Sequence, residues 1–150
     1  LHRCLAADER VRALHGTNAR HLDASMLTAG WGESAGTGGS LDSNFDLIVA
    51  DLSFISLTLV LPALAPLLRA NGQVLLLVKP QFELQPADIG KGGIVRDASL
   101  YAQVEQRLRN ACTEVALTVR HWLPSPIAGG DCNREFFIHA ARAASSTSAP

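Results

Sequence analysis

Lysine is nearly missing from this sequence. Of 13 basic residues 11 are arginine, and the two lysines, Lys79 and Lys91, fall within one short segment. A genome biased toward arginine codons accounts for the scarcity but not for where the exceptions stand. Arginine stays protonated in any protein environment, whereas burial or a nearby cation brings a lysine amine toward neutral pH, so lysine serves where a proton must move. Cysteine is scarce too. Cys4, Cys112 and Cys132 lie far apart, form no CxxC pair and are odd in number, which argues against a disulfide framework and for the reducing cytoplasm. Neither sign of charge dominates: a formal net charge of -1 excludes a protein-wide basic field, so any nucleic-acid contact has to come from a local patch or from a part of the molecule outside this chain. No apolar run reaches the roughly 20 residues of a membrane span, and LHRCLAADER lacks the apolar segment of a signal peptide. The histidines His15, His21, His121 and His139 show no metal-ligand spacing, so no metal site is expected.

What is present is enough for one domain with a single core: 150 residues, 47% hydrophobic. FDLIVADL (Phe45 to Leu52) and QVLLLVKP (Gln73 to Pro80) are short continuous apolar runs, the pattern of strands covered on both faces. Between them ISLTLVLPALAPLLRANG reads as a helix from Ile55, bent or shortened by Pro62 and Pro66 and stopped at Asn71-Gly72. Strand, crossover helix and strand make a βαβ unit with parallel neighbours whose C-terminal ends share one edge. Asp97 can cap a second, amphipathic helix with Leu100, Val104, Leu108 and Cys112 on one face. Two more strands follow, Ala116 to Leu123 and Arg134 to Ala141, and VRAL (Val11 to Leu14) is a candidate for another. The result is an α/β open sheet. GTGGS (Gly36 to Ser40) has no strand before it and no helix after it, so it reads as a surface connection, and GKGG (Gly90 to Gly93) lacks the spacing of a P-loop and reads as a mobile loop. Trp31 reads as a loop residue covering the core edge rather than a base-stacking platform.

Ligands in open α/β sheets bind outside the carboxyl ends of the strands, where Asp51 and Lys79 fall on neighbouring strands. A structural ion pair at the sheet edge would need the same placement. A third group favours chemistry: if the last strand is antiparallel, its opening residue Glu135 starts from the same edge. The three then form an amine flanked by carboxylates.

DLSFISL, LVKPQFE, IGKGGIVRD and SPIAGGDCNREF, in this order and spacing, resemble the C-terminal two-thirds of the methyltransferase domain of the bacterial TlyA family, the hemolysin A-like proteins. That family is similar to the FtsJ-type ribose methyltransferases. The resemblance implies a Rossmann-like methyltransferase fold, mostly parallel with an antiparallel last strand, S-adenosylmethionine as cofactor and the 2′-hydroxyl of a ribosomal RNA nucleotide as acceptor. Carried over by motif, Asp51, Lys79 and Glu135 are three members of a Lys-Asp-Lys-Glu catalytic tetrad, with the first lysine before Leu1. Asp51, Asn18 of the TNAR stretch and His15, which stands where the family has an acidic residue, are the implied cofactor contacts. Lys91 and Arg96 are expected RNA contacts, and Arg134, which replaces an apolar residue of the family, adds a phosphate contact or reflects an exposed strand edge; Cys132 replaces a glycine.

Lys79 suits such a reaction, because a ribose hydroxyl is a poor nucleophile until its proton is removed or strongly hydrogen-bonded. The resemblance further implies that the first strand, the glycine-rich cofactor turn and an S4-like RNA-binding domain lie outside this chain. Residues 11–141 are then the core of a partial methyltransferase domain, and residues 142–150 a disordered tail. The expected partner is ribosomal RNA or a ribosomal subunit, not a membrane. The isolated chain is expected to be inactive, to bind S-adenosylmethionine in the millimolar range at best, about -4 kcal/mol, and to self-associate through an exposed strand edge beside Phe45 to Leu52 or to rearrange over it. Two other readings fit fewer residues: a non-catalytic RNA- or ribosome-binding module, and a membrane-lytic hemolysin suggested by the family name alone.

Overall fold

The computed structural model describes residues 5, 8, 10, 11, 13–28, 45–129 and 133–144. After a 3-10 turn at Ala19–His21 come helix α1 (Ala24–Thr28), strand β1 (Phe45–Asp51), helix α2 (Leu57–Leu64), strand β2 (Leu68–Val78), helix α3 (Ser99–Glu114), and strands β3 (Leu117–Pro124) and β4 (Phe136–Arg142). The strands form one sheet in the order β1-β2-β4-β3. β1 and β2 are parallel, and β4 runs antiparallel to both β2 and β3, so β1, β2 and β3 point the same way. Cys4, Trp31, GTGGS and Cys132 lie outside the described residues.

The β1-α2-β2 unit forms as expected, but its helix stops earlier than Asn71-Gly72. Ser56 caps its start through Thr58 N–H at 3.2 Å. Pro66, which has no N–H to donate, follows within a 3-10 turn at Ala65–Leu67, and Leu68 is already extended. Phe45 pairs with Leu68 and Leu47 with Gln73, so Arg69 to Gly72 bulge out of the ladder, with Asn71 in the left-handed region at φ 62°. The Asn-Gly pair marks that bulge rather than a helix end. Arg69 pairs with Asp46 across it.

Two further expectations change. Val11, Ala13 and Leu14 form no strand: among the described residues none pairs with them, and Val11 and Leu14 are exposed. Strand β4 also runs one residue past Ala141 to Arg142, whose guanidinium donates to the carbonyls of Leu68 at 2.6 Å and Ala65 at 3.3 Å near the end of α2. α3 starts as expected, with the Asp97 carboxylate accepting from Ser99 N–H at 2.8 Å.

Helices α2 and α3 pack on one sheet face. Leu57, Val60, Leu61 and Leu64 of α2 and Val104, Leu108 and Cys112 of α3 meet Val74, Leu76, Val78, Ile138 and Ala140. Leu61, Leu76, Leu108 and Ile138 are fully buried, each contributing about 1.5–3 kcal/mol relative to exposure. Burial pushes the Cys112 thiol up to about 11, so it acts as a small apolar side chain. The opposite face belongs to alternate residues. Leu47, Val49 and Leu123 stand exposed there, and Leu75, Leu77, Phe137 and His139 are half-buried.

Gly72 tests the bulge. It is buried, and a methyl group there would lie 2.8 Å from Phe45 O and 2.9 Å from Arg69 O, both backbone atoms. Gly72→Ala is expected to lower stability by about 1–3 kcal/mol in urea unfolding, as overpacking does, whereas Gly92→Ala, with no atom within 4 Å of the added carbon, adds no such clash.

Candidate active site

β1 and β2 end together because Asp51 pairs with Leu77 in the parallel register. Lys79 lies two residues beyond Leu77, so its side chain leaves β2 on the same face as Asp51. Lys79 Nζ stands 2.6 Å from Asp51 Oδ1 and donates to Ser53 Oγ at 3.1 Å. The pair is asymmetric: the Lys79 side chain is 15% exposed and that of Asp51 66%. The structure therefore brings together the first two predicted catalytic residues and adds Ser53, which sequence reasoning missed.

Glu135 reaches the same edge but not the same contact. β4 is antiparallel, and one step outward from the last pair, Val78 with Phe136, sets Glu135 beside Lys79. Its carboxylate makes no hydrogen bond or ion pair with Lys79 or Asp51. It is buried under Gly129, where an added Cβ would fall 2.6 Å from Oε1, and its backbone carbonyl accepts from Ser125 N–H at 2.8 Å. Beside it opens a groove of about 390 Å³ walled by Pro124, Pro126, Ile127 and Phe136, with exposed Arg134 on its rim.

Lys91 and Arg96 belong to a neighbouring loop. Gly90 to Gly93 close a hydrogen-bonded turn, Gly93 N–H to Gly90 O at 3.0 Å and Gly90 N–H to Ile94 O at 2.9 Å, with φ of 84° at Gly92 and 79° at Gly93. Lys91 is exposed on this turn, and exposed Arg96 lies along Gly90. Asn133 ties this loop to the one before Glu135. It is buried, its Oδ1 accepts from Val95 N–H at 3.0 Å, its Nδ2 donates to Gly93 O at 2.9 Å, and its backbone carbonyl accepts from Gly129 N–H at 2.9 Å. Lys91, Arg96 and Arg134 thus sit on tethered loops, and none touches Asp51 or Lys79.

No hydrogen bond or ion pair among the described residues joins the predicted cofactor contacts His15, Asn18 and Asp51 to one another. Asn18 Oδ1 is committed to Arg20 N–H at 3.0 Å, capping the Ala19–His21 turn, and His15 is exposed with no partner joining it to Asp51. An imidazole in place of a carboxylate also cannot accept from two ribose hydroxyls at once. No group of three or more His, Cys, Asp or Glu among the described residues is placed to hold a metal. His121 and His139 instead share an Nδ1 to Nδ1 hydrogen bond of 3.0 Å, with His139 Nε2 at 2.7 Å from Gln73 Oε1.

Comparison with known proteins places this geometry. The model of the FtsJ-like methyltransferase family matches residues 2–142. The chain belongs to the FtsJ-like methyltransferase family. It is 36% identical over 134 residues to the 16S/23S rRNA (cytidine-2'-O)-methyltransferase TlyA of Mycobacterium tuberculosis, covering 89% of this chain and 45% of that protein. To Hemolysin A of Brachyspira hyodysenteriae it is 29% identical over 135 residues, 90% of this chain and 51% of the relative. A solved protein titled "Putative hemolysin from Streptococcus thermophilus" superposes with a TM-score of 0.79 at 36% identity, over 93% of this chain and 46% of that one. The chain spans about half the length of the curated relatives it matches. Among its described residues no helix is long and apolar enough to cross a membrane.

Within this FtsJ-like domain, two features escaped the sequence. Phe54 has a positive φ of 62°, its ring is 90% exposed, and its ring partner among the described residues is Phe82 at 5.1 Å. A bulky residue in that backbone region is strained. Glu83 is buried and accepts from Leu57 N–H at 2.7 Å and from Ser56 Oγ–H at 2.5 Å, while Arg107 donates to its backbone carbonyl at 2.6 Å. A signal for Glu83 was available, since an acidic residue can serve a helix N-terminus from a distant loop, but nothing in the sequence says which helix.

Burial raises the Glu83 carboxyl above its ordinary value of 4.5, against the hydrogen bonds from Ser56 and Leu57 and the Arg107 charge, which lower it. A carboxyl raised on folding binds its proton more tightly in the native state. Its contribution is therefore fully present below the unfolded value and is lost as pH rises through the folded one. The stability of wild type relative to Glu83→Gln is expected to fall as pH rises above about 4.5, measured by urea unfolding at stepped pH. A difference independent of pH would contradict the assignment.

Proposed function

We propose that this chain is the catalytic part of an rRNA methyltransferase that uses S-adenosylmethionine to methylate a ribose 2′-hydroxyl. The observation that carries the reading is the Lys79 amine, largely buried and held at 2.6 Å from Asp51 and 3.1 Å from Ser53 at the carboxyl edge of the sheet. The family match and the printed activity of the mycobacterial relative support the reaction class. When bound, the cofactor supplies a methyl group activated by its sulfonium charge.

The chain's own residues act on the acceptor. Asp51 and Ser53 hold the amine by two of its three polar directions and leave one to meet the ribose oxygen. A hydrogen bond there fixes the oxygen, and the amine in its neutral form takes the hydroxyl proton as the new C–O bond forms. Glu135, adjacent across β4, is placed to hold the ribose or to draw the amine toward itself once RNA fills the edge. The exposed Phe54 ring offers a face on which an unstacked base can rest. Lys91, Arg96 and Arg134 supply an exposed cationic patch for phosphates in a chain with little net charge.

In the full-length protein, Lys79→Ala and Asp51→Ala are expected to lower methyl transfer to rRNA by about 10²-fold or more while leaving circular dichroism unchanged. Lys79→Arg is expected to fail as badly, because a guanidinium keeps the charge but cannot accept the proton. Full activity of Lys79→Arg would leave the amine a merely electrostatic role, and full activity of Lys79→Ala would remove the reading. Phe54→Ala is expected to raise KM for RNA at little cost in stability.

A further inference from the structure

The two loops that carry the ion pair meet at three points. Lys79 contacts Asp51 and Ser53, Phe82 packs on Phe54, and Glu83 reaches across to Ser56 and Leu57. The first contact opens to water on the Asp51 side, where an ion pair holds weakly and yields to salt. The second rests on a ring that is 90% exposed. Only the third is sealed: Glu83 is 3% exposed, and its two carboxylate oxygens take the Leu57 N–H at 2.7 Å and the Ser56 hydroxyl at 2.5 Å.

The backbone of Glu83 is held as closely. Glu83 N–H donates to Pro80 O at 3.0 Å and Phe82 N–H to Lys79 O at 2.9 Å, so a 3-10 turn at Pro80–Phe82 runs directly from Lys79 to Glu83. From α3, Arg107 donates to Glu83 O at 2.6 Å. Lys79 and Glu83 are the two ends of one short rigid piece. Ser56, in turn, is joined to Asp51 through Leu52 to Ile55, where Ser53 and Phe54 are exposed while Leu52 and Ile55 pack against the core.

We propose that Glu83 is a positioning residue for the Lys79–Asp51 pair: its carboxylate clamps the turn after β2 onto the start of α2, and so holds the amine in reach of Asp51 and Ser53. A cap for α2 alone would not require it, since Ser56 Oγ already accepts from Thr58 N–H. A carboxylate is suited to the task because it takes two donors at once, one of them an N–H that the first turn of a helix leaves unpaired. An amide can keep both links, its oxygen on Leu57 N–H and its NH2 on Ser56 Oγ, whose own proton can turn to Thr58 Oγ1 at 2.7 Å. A methyl group keeps neither.

The inference rests on Lys79 being the reacting amine, and its test separates the two. In the full-length protein, activity retained by Lys79→Ala would sink that reading whatever Glu83 does. With Lys79→Ala inactive, Glu83→Ala is expected to lower kcat by about 10–100-fold with KM for RNA within about twofold. Glu83→Gln is expected to recover most of kcat. A second readout needs no activity. It follows the Lys79 side-chain ammonium signal in a 15N spectrum of the full-length protein, assigned by its loss in Lys79→Arg. Asp51→Asn is expected to move the Lys79 signal in wild type and in Glu83→Gln, and to leave it in place in Glu83→Ala. The clamp is overturned if a folded Glu83→Ala shows the wild-type response or wild-type kcat, or if Gln and Ala lose kcat equally. Should Glu83→Ala not fold, Ser56→Ala removes one of the two links and is read by the same signal and the same outcomes.

Discussion

Parallel pairing of β1 with β2 is the constraint on which the rest of this domain depends. A parallel pair cannot be closed by a tight turn, so the chain must cross over, and α2 is that crossover. The same pairing lines up the two carboxyl ends, and the period of two along each strand sends Asp51 and Lys79 out on one face. Antiparallel β4 then enters from the same edge and delivers Glu135 beside them. Slipping one strand by a single residue would separate every member of the site.

The groups proposed to react and the groups around them are built differently. Asp51 and Lys79 meet at the surface, where an ion pair contributes about 0–1 kcal/mol and Asp51 remains open to a ligand. The holding is done underneath by polar side chains that bond backbone groups: buried Glu83 at the start of α2, buried Asn133 at Val95 and Gly93, and exposed Arg142 at the carbonyls of Ala65 and Leu68. Each such bond, once buried, costs more to break than it contributed on forming, because the group left behind has no water to turn to. Loops fastened in this way keep an exposed site in register without covering it.

Much of this was legible in the residues. Four strands, the crossover, the amphipathic α3 and the arrival of three ionisable groups at one edge follow from apolar runs, helical spacing and the rule for open sheets. The end of α2 did not follow: Pro66 and Asn71-Gly72 were rival stop signals, and a bulged β2 that gains pairing with β1 from Leu68 onward decided for the first. VRAL had a strand's composition and, among the described residues, no strand to pair with. In the site, Asp51 and Lys79 were readable because strand ends announce themselves, whereas Ser53, Phe54, Glu83 and Asn133 sit in loops whose side-chain directions no local pattern sets.

What the sequence by itself determined was local: which runs are apolar, where chain direction changes, and which residue types capable of chemistry fall at the ends of strands. Those properties depend on neighbours along the chain, and periodicity reports them. Only the tertiary structure decided that Lys79 touches Asp51 and Ser53 while Glu135 turns under Gly129, that Asn18 caps a turn, and that Glu83 and Asn133 fasten the loops. Each of those contacts joins residues from separate elements, or sets two nearby groups against other available partners. Their geometry follows from strand register and from the need to satisfy buried polar groups, which become definite only when the sheet and its helices have packed.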